Sequence, residues 1–404
     1  MPDVPVVVLP SGTNGLAWIR SLGRKKVHVI AADEDPHCVG RRSVHASEFF
    51  RYPPVMSDPG GFVDALLAQA ARWKGAILIP TNDEVLEVLS RHREKFREHF
   101  RVPVCAWDRM QFMLHKDLSY PEARAIGLDV PLTLKVSAEG EIQGDLADMR
   151  YPCIVKPVAV HEFRRVFHTK VFEAKSADEV LHFVDIAGRH SMQVLVQEII
   201  PGEATRIHGY NAYYDQASRP LAEITYQKLR QHPPLFGVGR IEVSTRNAEI
   251  VELSRRILTH LRYEGPVDVE YKLDPRDGKY KFFEINARSP LQIQLAIGCG
   301  VDIPWILYCD LTGRPLSDEL LDAAHYRTGV YWIGLTAEVE VLLRYRDQER
   351  LGWRERMIPY RGPKVWDVWD RQDPKPMWAE ARNFVRGGIR LLKRRFGSEE
   401  DPAK

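Results

Sequence analysis

Apolar residues enter the chain in short continuous runs separated by amphipathic stretches. Residues 4–9 (VPVVVL) form the first run, the pattern of a strand buried on both faces of a parallel sheet. The turn Pro10-Ser11-Gly12-Thr13-Asn14-Gly15 closes it, and the spacing predicts a helix over 16–22 and a second strand over 26–31 (KVHVIA). The pattern continues with a helix over 64–73, a strand over 76–80, and a helix opened by Thr81-Asn82-Asp83-Glu84 and running to 99. A Thr or Asn cap followed by two acids suits a helix start, where unbonded amides carry partial positive charge. A short strand over 102–105 ends the set, so residues 1–108 are expected to form a small α/β layer domain. The glycine loop after the first strand is not G-x-G-x-x-G, which argues against a nicotinamide site. That loop is either a tight turn or a seat of amides for an anion such as a substrate carboxylate.

Beyond residue 108 the pattern changes. Residues 109–127 read as helical and include Lys116; residues 151–157 (YPCIVKP) read as a short apolar strand with Lys156 at its end. A lysine there either snorkels to water or reaches a phosphate as a point charge. A polar segment over 158–169 follows, then a strand over 171–174, a helix over 178–187, and a buried strand over 194–200 (VLVQEII) closed by Pro201-Gly202-Glu203. Residues 207–213 and 221–229 alternate like paired strands, a loop begins at 237–239, and helices are expected over 250–261, 291–298 and 303–312.

The most informative stretch is Gly265 to Pro290, GPVDVEYKLDPRDGKYKFFEINARSP. Two β-rich runs flank the turn Asp274-Pro275-Arg276-Asp277-Gly278, which predicts a hairpin. Alternation assigns Val267, Val269, Tyr271, Leu273, Phe283, Ile285 and Ala287 to a core face. The other face then takes Asp268, Glu270, Lys272, Phe282, Glu284 and Asn286. Any register that pairs even-numbered residues sets Glu270 opposite Glu284. Two facing carboxylates lie about 5 Å apart at Cβ and repel by about 3 kcal/mol at an effective dielectric of ~20. Such a pair calls for a cation, and an oxygen-only set of two carboxylates and an amide suits a hard ion such as Mg²⁺. The alternative is a solvated face with Lys272 neutralising one glutamate.

Composition adds bounds rather than direction. The 404 residues carry 57 Lys+Arg against 55 Asp+Glu, a formal charge of +2, so no global field argues for nucleic acid. Five cysteines (Cys38, Cys105, Cys153, Cys299, Cys309) stand apart, without CxxC spacing. That pattern fits reduced thiols in a cytoplasmic protein rather than zinc or a disulfide framework. No apolar run approaches the ~20 residues of a membrane span.

In order, these features are a lysine in a helix, a lysine ending a strand, Gln197-Glu198-Ile199-Ile200-Pro201-Gly202-Glu203, and Glu270 followed by Glu284-Ile285-Asn286-Ala287-Arg288. Over residues 4–312 this order resembles the ATP-grasp superfamily. The segments YPCIVKP, LVQEIIPGE, YQKLRQHPP and KFFEINARSP are similar to the carboxylate–amine ligase group that includes D-aspartate ligase. The resemblance implies an N-terminal parallel α/β domain followed by a two-subdomain ATP-grasp fold over 109–313, with a lid at about 120–200 and a large subdomain over 201–313. It implies ATP bound between the subdomains with Mg²⁺, or Mn²⁺ in its place. Lys116 and Lys156 would neutralise the α- and β-phosphates. Adenine would bond the Glu198 carbonyl and Ile200 N–H, and Glu203 the ribose hydroxyls. Glu270, Glu284 and Asn286 would hold the metal, and Arg288, Lys228 and Arg230 would serve the transferring phosphate or a substrate carboxylate. The Gly/Ser-rich flap of the superfamily is absent. Residues 158–169, with His161, Arg164, Arg165 and His168, stand in its place.

The implied activity is amide-bond formation between a carboxylate and an amine through an acylphosphate. A small-molecule kinase and a non-catalytic nucleotide-binding protein remain open as alternatives on the same fold. The remaining 314–404 segment is rich in tryptophan (Trp332, Trp353, Trp366, Trp369, Trp378), read as packing anchors. Its residues 382–396 (RNFVRGGIRLLKRRF) carry six basic residues and no acid. That stretch is either a solvated tail or a contact with an anionic membrane at its inner face. The latter would suit a lipid-linked or cell-wall precursor as substrate. A homodimer is compatible with either reading.

Overall fold

The computed structural model describes residues 4–396 apart from 138, 159, 168, 170, 234–236, 318–325 and 345–351. Its strands fall into three sheets. The first comprises β1 (Val6–Leu9), β2 (Val29–Asp33), β3 (Glu48–Arg51) and β4 (Ile77–Pro80), in the order β3-β2-β1-β4. All of its pairings are parallel. Continuous apolar runs give it two buried faces, with Val7 and Leu9 packing on one side and Val6 and Val8 on the other. The expected strand over 102–105 is absent, and only Arg101 bridges to Ile77. Glu48–Arg51, which has only Phe49 and Phe50 as apolar signal, takes the outer place instead.

The second sheet is antiparallel: β5 (Thr133–Val136), β6 (Ile142–Gln143), β7 (Cys153–Pro157), β8 (Phe172–Ala174) and β9 (Val194–Glu198), in the order β6-β5-β9-β7-β8. Helix Ala177–Arg189 covers it, capped by the Ser176 hydroxyl accepting from the Glu179 N–H. Its core of Leu134, Cys153, Val155, Phe163, Val180, Val184 and Val196 is separate from the other clusters. The polar segment expected as a stand-in flap folds partly as a helix, Val160–Phe167, with Phe163 buried in that core and Arg165 exposed. His168 and the side chains of His161 and Arg164 lie outside the described part.

The third sheet holds β10 (Ile207–Tyr214), β11 (Pro220–His232), β12 (Val238–Thr245), β13 (Gly265–Leu273), β14 (Tyr280–Asn286), β15 (Tyr331–Ile333) and β16 (Lys364–Trp366), in the order β14-β13-β10-β11-β12-β15-β16. Residues from 238, expected as loop, are strand β12. Beyond residue 313 the chain adds two strands to this same sheet. Both faces of the first sheet share clusters with the third: Val7 and Leu9 with Tyr210, Val269 and Phe282, and Val8 and Trp18 with Tyr226, Ile306 and Trp332. The first and third sheets therefore form one packed body that carries the second as a smaller unit with its own core. Of the tryptophans expected as anchors, Trp332 is buried, whereas Trp353 and Trp378 are each 67% exposed.

Candidate functional site

The hairpin forms with Glu270 opposite Glu284 and Asp268 opposite Asn286. A shift between Glu270 and Tyr271 pairs Tyr271 with Phe282 and leaves Phe283 as the extra residue of a bulge. The bulge corrects the simple alternation. Phe282 turns into the core at 0% exposure beside Tyr271, while Phe283 is only partly buried and lies under the Lys116 ammonium, 5.5 Å from the ring centroid.

Each of the facing carboxylates carries a lysine from another element. Lys116, the first residue of helix Lys116–Ala125, reaches Glu284 Oε2 at 2.5 Å. Lys228 of β11 donates to both oxygens of Glu270 at 2.6 Å. Burial would push the Glu284 carboxyl up, but the Lys116 ammonium outweighs it and holds the group down at about 2. Burial likewise opposes the charge on Lys116 and Lys228, and Glu284 and Glu270 respectively more than restore it, raising both lysines. Lys272, the neutralising residue of the simpler reading, is not the partner of either glutamate in these contacts; burial lowers it to about 8.

Asp268 completes the acidic face. It accepts from Asn211 Nδ2 at 2.7 Å, Tyr226 OH at 2.8 Å and Asn286 Nδ2 at 3.1 Å. Burial and then the Glu270 charge push its carboxyl up to about 7. Gly209 lies between Tyr226 and Glu270 in the register. A Cβ there would stand 2.1 Å from Tyr226 Cζ, so the bare glycine is what lets the phenol lie across to Asp268. Asn286 Oδ1 is approached by Arg288 Nη2 at 3.5 Å, and Arg288 Nε donates to Asp83 Oδ1 at 2.8 Å. Asp83 begins helix Asp83–Arg91 after β4, so the parallel domain supplies one wall of the site. Trp18 Nε1 donates to Ser289 Oγ at 2.5 Å on the same boundary.

Lys156 enters from the smaller sheet. It is 8% exposed, donates to Gln197 Oε1 at 2.7 Å, and stands 5.3 Å from the Tyr120 ring centroid. Tyr120 OH in turn donates to the Phe283 carbonyl at 2.9 Å. Burial, and then the Lys116 charge, push Lys156 well below the usual lysine range, and Glu284 only partly offsets them. Three lysines from three elements thus surround the Glu270–Glu284 pair.

The remaining candidates spread outward. The Glu198 side chain is a clamp: Oε1 accepts from the Leu132 N–H and Oε2 from Arg276 Nη2, each at 2.8 Å, tying β9 to the hairpin turn. Ile200 is buried at 2% and Glu203 is exposed, just before a 3-10 turn over Ala204–Arg206. Arg230 stands apart from the carboxylate pair. It bonds Glu338 Oε1 at 3.0 Å and the Glu355 and Arg356 carbonyls, holding the C-terminal helices to β11. The β11 bulge between Lys228 and Arg230 separates their directions.

Among the described residues no three His, Cys, Asp or Glu side chains converge as a ready-made metal cage. The donor set of Glu270, Glu284 and the Asn286 amide still fits Mg²⁺, which keeps waters and takes phosphate oxygens rather than demanding an all-protein cage. Two lysine ammoniums stand on the two carboxylates as built-in cations, the observation that the pair requires positive charge.

Residues not singled out by sequence are Asn211, Tyr226 and Glu242. Asp268 was legible as the neighbour of Glu270 on one face, and Gln197 as the neighbour of Glu198. Asn211 and Tyr226 needed the strand order to bring them in.

No family model matches the sequence. The D-aspartate ligase of Enterococcus faecium strain Aus0004 is 28% identical over 244 residues, covering 56% of this chain and 58% of that protein. The chain therefore spans little more than half the length of the curated relative it matches. Biotin carboxylase from Campylobacter jejuni, solved as a βγ-ATP complex, superposes with a TM-score of 0.63 at 14% identity, covering 81% of this chain and 74% of that one. N5-carboxyaminoimidazole synthetase from Staphylococcus aureus gives 0.62 at 12% identity, with 86% of each chain covered. The L-amino acid ligase of Bacillus licheniformis gives 0.58 at 16% identity, covering 80% of this chain and 77% of its own. At these identities the solved structures speak for the fold, and the fold is the expected one: α/β, a parallel N-terminal domain followed by the ATP-grasp arrangement.

Proposed function

We propose that the chain is an ATP-dependent ligase that joins a carboxylate to an amine through an acylphosphate. The observation that supports it most is the facing pair Glu270–Glu284, each carboxylate held by its own lysine, with Lys156 close by. The similarity to a D-aspartate ligase over 244 residues favours an amino acid as one substrate.

A carboxylate is a poor acyl donor because its leaving group would be an oxide. Transfer of the γ-phosphoryl group to its oxygen makes phosphate the leaving group, and an amine then displaces it to give amide, ADP and phosphate. Phosphoryl transfer asks a protein mainly for positioning and charge neutralisation. In this reading Lys116 leaves Glu284 for the nucleotide phosphates, and Lys156 joins it from the lid. Glu270, Glu284 and Asn286 would hold Mg²⁺, which supplies charge stabilisation of the phosphate oxygens. Arg288 exchanges Asp83 for the transferring phosphate or a substrate carboxylate. Asp268 and Tyr226 keep the hairpin face aligned. The Glu198 carbonyl, Ile200 N–H and Glu203 are the proposed seat of adenine and ribose. Arg230, placed against Glu338, is a positioning residue for the C-terminal helices on this account rather than a phosphate ligand.

The decisive experiment is an ADP-release screen of amino acids, both enantiomers, against carboxylate partners. The ligase reading expects release only when an acid and an amine are present together. Release with one substrate and a stable phosphorylated product contradicts it.

For the partner, we read residues 382–396 as a contact for an anionic membrane, which would bring the enzyme to a lipid-linked or cell-wall precursor. Six basic residues without an acid support this, as does their place at the end of helix Lys375–Phe396. No single helix among the described residues is long and apolar enough to cross a bilayer.

A further inference from the structure

Farther across the sheet from the hairpin, on β12, lies a carboxyl group that the mechanism above does not use. Glu242 of β12 sits opposite Lys228 of β11 in the register and is 1% exposed. Its Oε2 is buried without a hydrogen-bond partner. Burial pushes this carboxyl well above the usual carboxylate range; the Lys228 charge pulls it only partly back, and Glu270 and Asp268 push it further up. The space for it is built in: a Cβ on Gly239 would lie 1.9 Å from Glu242 Oε1 and 3.1 Å from Lys228 Cε.

A buried polar oxygen without a partner costs free energy in the state where it is unpartnered. Its neighbour across the strands is a lysine engaged elsewhere, at 2.6 Å from both oxygens of Glu270. Those oxygens are the ones a divalent cation would need. A cation on Glu270 repels the ammonium from that position, and an ammonium at 4% exposure has no water to receive it. The flexible four-carbon stem of lysine can redirect the charge without moving the strand.

We propose, resting on the metal–nucleotide reading above, that Glu242 is a positioning residue. It is the second seat for the Lys228 ammonium, which moves there when a divalent cation takes Glu270. Lys228 is then a resident counter-ion that guards Glu270 while the site is empty, and Glu242 makes its departure possible. Without Glu242 the lysine stays on Glu270 and competes with the metal.

The test is Mn²⁺ binding in the presence of ADP, read by electron paramagnetic resonance of free Mn²⁺ on the full chain. The set is wild type, Glu242→Gln, Lys228→Met and the double variant. Glu242→Gln is expected to weaken Mn²⁺·ADP binding by about tenfold or more. Adding Lys228→Met is expected to restore binding to that of Lys228→Met alone, because the competitor is gone; such a coupling is what a double-mutant cycle isolates. A role in packing alone would not be rescued in this way. Glu242→Asp, which keeps the carboxyl and shortens its reach, serves where the amide variant fails to fold and is expected to bind Mn²⁺·ADP more weakly than wild type. Unchanged binding in the Glu242 variants, or a double variant as weak as Glu242→Gln, overturns the proposal alone. A wild-type chain that takes up no Mn²⁺ with ADP overturns the site reading and this proposal together.

Discussion

Lys156 carries the sharpest conflict among the site residues. Its ammonium is buried, bonds a neutral amide oxygen at 2.7 Å, and feels the Lys116 charge. Burial and Lys116 both favour the neutral amine in the free protein, whereas a bound anion favours the ammonium. Nucleotide binding should therefore take up a proton, and affinity should fall as pH rises from the lowered Lys156 pKa of the free protein through the higher one of the complex. Lys156→Met should reduce MgADP affinity by about tenfold or more and flatten that pH dependence. Its thermal stability should hold or rise, since a buried amine whose protonation is opposed by burial and by Lys116 is replaced by an apolar side chain of similar length. Calorimetric titrations of both proteins at several pH values check this; parallel pH curves would speak against it. Lys156 itself was legible as the end of an apolar strand. Gln197 was legible in the motif that holds Glu198, but its bond to Lys156 became visible only once β7 and β9 were known to pair.

Among the elements, the hairpin joins what sequence predicts to what it misses. Two β-rich runs around Asp274-Pro275-Arg276-Asp277-Gly278 were sufficient to foresee it and to set Glu270 across from Glu284. Strict alternation could not foresee a bulge, because an extra residue leaves the local pattern of Phe282-Phe283 ambiguous: either aromatic could face in. Only burial against Tyr271 and Tyr120 decides it for Phe282. Phe282→Ala should thus cost about 3–5 kcal/mol in chemical denaturation, the range for emptying an aromatic site in a core. Phe283→Ala should cost much less and act instead on nucleotide affinity, since its ring lies by Lys116. Equal losses of stability would contradict the bulged register. The short strand Glu48–Arg51 was hidden for a similar reason: its place at the sheet edge is set by β2, not by its own pattern.

At the scale of the molecule, the C-terminal segment closes the first and third sheets onto one another. Arg20 of the first helix is 2% exposed and bonds the Asp373 carboxylate at 3.0 Å and the Val368 and Asp373 carbonyls at 2.9 Å. Asp373 also accepts from the Ser43 hydroxyl at 2.7 Å and the Val44 N–H at 3.0 Å. Asp373→Ala would leave that guanidinium buried without its carboxylate and should cost about 3–5 kcal/mol by urea unfolding. A loss under about 1 kcal/mol, the level of surface pairs, would mean the segment is not an integral strap. None of these long-range partners could be read from a linear pattern, because 353 positions separate Arg20 from Asp373. Removing residues after 381 should spare this anchor and abolish co-sedimentation with anionic vesicles. Equal binding by full-length and shortened chains would remove the membrane contact.

Everything functional rests on a divalent cation and nucleotide phosphates meeting at positions 270, 284 and 286. Calorimetric titration of ATP into the wild type and Glu270→Gln/Glu284→Gln, each with Mg²⁺ and with chelator, measures that directly. The account predicts tight binding only for the wild type with Mg²⁺, and at least about a hundredfold loss on either metal removal or substitution. Equal affinity in all four titrations would contradict it.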